Sequence, residues 1–257
     1  MQIEARLSFG SNINERPSQE NETADEKMLY KHDPVIGGIS LGNQVLPGGS
    51  VSAGAFGEEH VKYKIDNVSW GKLPTVVPTA YVAARIFLDI DWGIAAHGHT
   101  NVSSENDPVV TKDTYAAIAA DLTTDATGRP TRATYWCQDI TEKHEKFHAT
   151  DDIGRATLYL PTAQSFINGK TITNPSDPVA SQVEVSAMLE TMRANVQADG
   201  WAWYGGGGEN RAYADGKATY DARVAAINAK ATTAGWNAPA GGAAAGGTPA
   251  GGAGAGP

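Results

Sequence analysis

The spacing of apolar residues changes period part-way along the chain, and this change limits the fold more than any other feature. Before residue 95 the spacing is two. Val61, Tyr63 and Ile65 alternate with Lys62, Lys64 and Asp66, and Ile86, Leu88, Ile90, Trp92 and Ile94 alternate with Phe87, Asp89, Asp91 and Gly93. Successive side chains of a strand point to opposite faces, so each stretch has one buried and one wetter face, the habit of antiparallel sheet. Residues 35–57 are rich in Gly, Ser and Pro and predict short strands and tight turns. After residue 110 the spacing becomes helical. Tyr115, Ile118, Ala119 and Leu122 predict a helix of about three turns. Asp125 to Pro130 predicts a turn, and Thr131 to Cys137 a short strand. Asp177 and Pro178 have the cap and first-position chemistry of a helix start; Val185, Leu189, Met192 and Val196 form its stripe and Gly200 its stop. A last helix starts near Glu209, with Tyr213, Tyr220, Val224, Ile227 and Ala231 on one face. Strands followed by helices predict an α+β fold, a small, mostly antiparallel sheet packed against helices.

Composition sets the boundaries of the folded unit. Residues 1–35 are polar and predict a flexible arm, and 236–257 are almost only Gly, Ala, Pro and Thr and predict a disordered tail. The unit between, 36–235, is β-rich over 36–110 and helical over 111–235. The net charge of −9 argues against nucleic acid or an anionic membrane surface as a partner. No apolar run is long enough to insert in a membrane, and Met1 to Asn12 lacks the apolar region of a signal peptide. A cytoplasmic location or export by an unconventional route is therefore expected. The single cysteine, Cys137, excludes an internal disulfide and a cysteine-built zinc site.

One segment carries chemistry. His144-Glu145-Lys146-Phe147-His148 is an HExxH sequence. On a helix, positions i and i+4 share a face about 6 Å apart along the axis, so two imidazoles can hold one Zn2+. Glu145 sits about 100° around the helix, placed to take a proton from a zinc-activated water without being a ligand. Asp139 and Glu142 have capping-box spacing, which predicts a helix start near Ile140 and puts Ile140, His144, His148 and Asp151 on one face. Phe147 is expected to anchor that helix beside the histidines.

A catalytic zinc needs a third protein ligand. Asp151 and Asp152 are the local candidates, but Asp151 lies about 10.5 Å along an unbroken helix from His144, too far for one ion. Glu209 is the better candidate. It heads the apolar stripe of the last helix, where an unpaired carboxylate is costly, and Gly205 to Gly208 before it permit close approach. His144, Glu145, His148 and the stretch Glu209 to Asp215 together resemble the gluzincin branch of the zincin metallopeptidases. The resemblance implies zinc held by the two HExxH histidines and a Glu from a downstream helix. It also implies a zincin-like fold, with the sheet against the HExxH helix and the cleft along an edge strand.

Other residues are weighed against this site. Asp151 or Asp152 is a candidate partner for a ligand imidazole, and Tyr213 or Tyr220 for an oxyanion. His97 and His99 share a strand face and form a rival metal site, though the glycine between them also fits a strand end; His32 and His60 show no partner pattern. The expected function is peptide-bond hydrolysis on a peptide or protein substrate, by zinc-activated water with Glu145 as general base. The alternative is a non-enzymatic binding or structural protein of a larger assembly, with contacts made by 36–110 and any metal purely structural. A combined reading is a metallopeptidase delivered as a toxin-like effector.

Overall fold

A computed structural model describes residues 32–236. The arm and tail expected at the two ends lie outside the described residues, except for 32–35 and 236. The elements run β1 (Asp33–Pro47), β2 (Gly57–Leu73), β3 (Thr79–Ile94), β4 (Thr100–Asn101), α1 (Tyr115–Leu122), β5 (Tyr135–Trp136), α2 (Gln138–Asn168), β6 (Thr171–Ile172), α3 (Pro178–Gly205) and α4 (Gly208–Thr233). The fold is α+β. A four-stranded sheet in the order β2-β3-β1-β6 packs against the long helix α2 and helix α3, while α4 packs on α2 and α1.

The sheet is mostly antiparallel, as the alternation predicts. β2 pairs antiparallel with β3 and β6 antiparallel with β1, while β1 and β3 run parallel through a register from Val35↔Ala80 to Pro47↔Trp92. β3 is therefore central, with β2 on its outer side as an edge strand. Its inward residues Val82, Ala84, Ile86, Leu88, Ile90 and Trp92 are all buried against the helices. The face with Phe87, Asp89 and Asp91 is half-buried.

The Gly-rich stretch 35–57 departs from the expected turns, since β1 is one strand of 15 residues. Its glycine at position 37 serves packing rather than turning. A Cβ there would lie 2.6 Å from Gln164 Nε2 and 2.7 Å from Ile167 Cγ2 of α2. Past β6 the edge of β1 is closed by α2 side chains: Gln164 Oε1 accepts from Ile39 N (2.8 Å), its Nε2 donates to Gly37 O (2.6 Å), and Asn168 Oδ1 accepts from Gly37 N (2.7 Å). This part of the edge, from Gly37 to Ile39, is thereby closed to another strand. The face of α2 behind these contacts carries Ala149, Ala156 and Ala163 at seven-residue spacing, all buried, which lets the helix axis lie close to the sheet.

Several helix ends differ from expectation. α1 has 8 residues rather than about three turns. α2 starts at Gln138 with Cys137 as N-cap and no side-chain cap; Asp139 instead bonds Arg223 (2.7 Å) and Glu142 binds Lys146 (2.6 Å), so there is no capping box. α3 begins as predicted, with Asp177 Oδ1 accepting from Val179 N and Ala180 N and Pro178 at the first turn, and its stripe Val185, Leu189, Met192 and Val196 is buried. It does not stop at Gly200. Gly200 is interior and buried, and a Cβ there would crowd the Tyr63 ring end, within 3.1 Å of Cζ. Asp125 to Pro130 is the predicted turn, with Asp125 Oδ1 accepting from Thr127 N (2.8 Å) and Arg129 N (3.0 Å). No helix among the described residues is long and apolar enough to cross a membrane.

Candidate metal centre

The HExxH segment lies in the second and third turns of α2, and Glu209 in the first turn of α4. The chain enters α4 through Gly207, whose φ of 116° is a left-handed conformation that L side chains rarely adopt. Gly208 follows with no room for a side chain: a Cβ would lie 2.7 Å from the Tyr204 ring. The glycine run thus folds the end of α3 tightly onto the start of α4 and turns Glu209 toward α2.

His144, His148 and Glu209 come together as expected. His144 Nε2 and His148 Nε2 are 3.1 Å apart. Glu209 Oε2 is 3.5 Å from His144 Nε2, and its Oε1 is 3.3 Å from His148 Nε2. Zinc bonds of about 2.0–2.2 Å place tetrahedral donors about 3.3–3.5 Å apart, so the donor set has the size of a zinc site. Two imidazole nitrogens facing each other and one carboxylate are also the donor types that zinc accepts. The three form a cluster able to hold a metal ion, and among the described residues no fourth donor joins it. Asp151 and Asp152, the local candidates set aside for Glu209, do not join the cluster, and α2 runs unbroken past both to Asn168.

The electrostatics follow from burial and these contacts. Hydrogen bonds from His144 and His148 hold the Glu209 carboxyl far below the usual range, while burial lowers His144. Glu145 is 4% exposed, and burial raises its carboxyl to about 7 despite the pull of His148. It lies where two hollows meet. One, of about 200 Å³, is lined by Phe56, Gly57, Arg132, Tyr213 and Tyr220 among others; the next, of about 190 Å³, by Glu58, Glu59, His60, His148, Tyr204 and Glu209. Consecutive residues at the start of β2 therefore run along the cleft, past Glu145. Gly57 is the point of closest approach: a Cβ there would lie 2.7 Å from Glu145 Cδ.

Supporting residues differ in part from expectation. The expected imidazole partner Asp151 is committed elsewhere, its Oδ2 accepting from Trp203 Nε1 (2.9 Å) and Arg211 Nη2 (2.7 Å). Asp152 is buried and makes no hydrogen bond to either ring. Tyr213 lies beside the site, its ring 4.4 Å from that of His144, and its hydroxyl accepts from Arg132 Nη2 (3.0 Å). Tyr220 is buried at the floor of the first hollow. Phe147 is half-buried beside His148. His97 and His99 join no group of three metal donors among the described residues; they stand at a turn and bond the carbonyls of Ala55 (2.5 Å) and Ala96 (3.0 Å). His60 does have a partner, Asp91 Oδ1 at 3.1 Å.

Four residues escaped the sequence reading. Tyr204 Oη donates to Glu209 Oε1 (2.7 Å) and its ring lies 5.4 Å from that of His148. Its place directly before the glycine run was the available signal. Arg132 has a φ of 50° and stacks over Phe56, 4.4 Å from the ring centre. Asp121, which accepts from Thr134 N (2.8 Å) and Tyr135 N (2.9 Å), pins the loop around it. Glu59 points into the cleft from β2, where burial raises its carboxyl to about 8. Nothing in a period-two strand marks Glu59 in advance. No family model, curated protein or solved structure matches the chain.

Proposed function

We propose that the chain is a zinc-dependent metallopeptidase, with His144, His148 and Glu209 as the metal ligands and Glu145 as general base. The observation that carries this is the meeting of a three-donor cluster, open on one side, with a buried carboxylate at a cleft that follows an edge strand. A structural zinc site is closed by four protein ligands, whereas a catalytic one keeps a position open. This favours hydrolysis over a purely structural metal.

Zinc in this site would supply Lewis acidity, lowering the pKa of a water to roughly 7 and polarising a carbonyl. The residues of the chain do the rest. Glu145, buried beside the cluster where the two hollows meet, is placed to accept a proton from the water and pass it to a leaving amine. Tyr204 orients Glu209 through its hydroxyl. Arg132 and Tyr213, linked by their hydrogen bond on the far side of Glu145, are placed to meet negative charge on a substrate oxygen. The start of β2 offers its edge to an extended peptide, which would be held by main-chain hydrogen bonds.

Elemental analysis of the purified chain beside His148→Ala and Glu209→Ala tests the site, and Glu145→Gln tests the reaction. The expected result is about one zinc per chain, lost in the first two variants and kept in the third, with hydrolysis of unstructured peptides falling by about 10²–10⁴-fold in Glu145→Gln. Undiminished hydrolysis in Glu145→Gln, or a zinc-free protein after reconstitution, would overturn the proposal.

A further inference from the structure

Beyond the candidate metal centre the cleft continues into a third hollow of about 340 Å³, lined by Glu59, His60, Val61, Asp152, Gly200, Trp201 and Tyr204. Glu59 and Tyr204 belong to this hollow and to the one at the metal cluster, so the two are continuous. Two carboxylates lie on its wall without partners. Asp152 is 6% exposed and makes no hydrogen bond or ion pair, and Glu59 Oε1 is fully buried with none. Buried carboxylates are normally paired, because an unpaired one costs several kcal/mol or gives up its charge.

The nearby cations are already committed. Arg155 forms a two-point pair with Asp199, Arg211 bonds Asp151, and His60 is held by Asp91. The ring of Trp203 lies under both arginines, whereas among the described residues no lysine or arginine lies over Trp201. Trp201 is 61% exposed at the mouth of the hollow. Carboxylates set against open aromatic faces recognise organic cations, since a ring face attracts positive charge. A second metal ion fits less well, as these two carboxylates do not join a three-donor group.

We propose that this hollow is the subsite for a basic side chain of the substrate, the lysine or arginine being held by Asp152 and Glu59 and stacked on Trp201. The proposal rests on the peptidase reading for its substrate, but the cation site itself does not need catalysis. It makes Asp152 and Glu59 specificity-determining residues.

The zinc-loaded chain is incubated with a mixed library of unstructured peptides, and the cut sites are read by mass spectrometry. Lysine and arginine should be enriched at least tenfold over norleucine and glutamine at one fixed position beside the cut. Asp152→Asn and Glu59→Gln, which lie on different elements and are near-isosteric, should each flatten that preference. In parallel, zinc-loaded Glu145→Gln is titrated calorimetrically with peptides carrying one lysine at each position in turn, and with their norleucine counterparts. The best lysine peptide should bind at least tenfold more tightly, and adding Asp152→Asn should remove the difference. Cleavage and binding that both ignore basic residues would leave the peptidase reading and overturn the subsite. Lysine-selective binding lost with Asp152→Asn, but no cleavage, would keep the subsite and overturn the peptidase reading. Neither cleavage nor charge-selective binding would overturn both.

Discussion

On the proposed mechanism, Gly57→Ala separates the role of Glu145 from that of the metal ligands. Gly57 opens β2, and its backbone faces the Glu145 side chain; an added Cβ would lie 2.7 Å from Glu145 Cδ and 2.8 Å from Cγ. Carbon atoms in good contact are about 3.5–4.0 Å apart, so the carboxyl must withdraw by roughly 1 Å. His144, His148 and Glu209 are not among the atoms crowded, and Glu145 is a flexible chain that can move at its far end. Alanine also suits an extended backbone, and loss of unfolded-state freedom favours it by about 0.4–1 kcal/mol. Stability should thus change by no more than about 1 kcal/mol. A displacement of about 1 Å in a reacting group can cost about 10²-fold in rate. The expected outcome is a fall of about 100-fold in kcat/KM for peptide hydrolysis, smaller than or equal to that in Glu145→Gln, with about one zinc per chain retained and the melting temperature little changed. Steady-state kinetics, elemental analysis and a thermal melt on one preparation decide it. Full activity in Gly57→Ala would refute the claim that the carboxyl position governs the reaction. Loss of zinc in parallel with activity would refute the separation of base from ligands.

Two further outcomes follow from the same geometry. Tyr204→Phe removes the hydroxyl that donates to Glu209 Oε1 (2.7 Å), and zinc affinity, read by competition with a chelating dye, should weaken by about 10–100-fold. Glu59 has its carboxyl raised from 4.5 to about 8, by burial first and then by the charges of Asp152, Glu145 and Asp91. A raised acid contributes fully below its unfolded value and loses that contribution as pH rises through about 8. In zinc-free protein, Glu59→Gln should therefore leave stability unchanged near pH 4 and raise it by about 1–3 kcal/mol at pH 9, measured by urea unfolding.

The fold class was legible because burial follows period. The alternation of Ile86 to Trp92 matches β3 residue for residue, and the stripe Val185 to Val196 is the buried face of α3. The candidate metal cluster was legible because HExxH puts two histidines on one helix face, and because a carboxylate at the head of an apolar stripe asks for a partner. Pairing was less accessible. Nothing in β1 and β3 says that they run parallel, with β2 passing to the outside, since the order of strands depends on contacts distant in the chain. The capping box at Asp139 and Glu142 failed for a similar reason: Arg223, from α4, takes the Asp139 carboxylate that would have capped the helix.

Glycine accounts for several of the other departures, and these have a common physical cause. Along a sequence, a glycine reads as a turn or a helix stop, because its usual effect is on the backbone. At 37, 57 and 200 its effect is on space. Gly37 lets α2 settle on β1, Gly57 leaves room for the Glu145 carboxyl, and Gly200 for the end of the Tyr63 ring. Each lies within an element rather than between elements. Gly57 and Gly200 also both line the cleft. A glycine inside a strand or helix lowers the local propensity for that element by roughly 0.5–1 kcal/mol, so its presence there needs a compensating contact. In this chain two of those contacts border the candidate site: the cleft is shaped where side chains were left out, as much as by the histidines and carboxylates that line it.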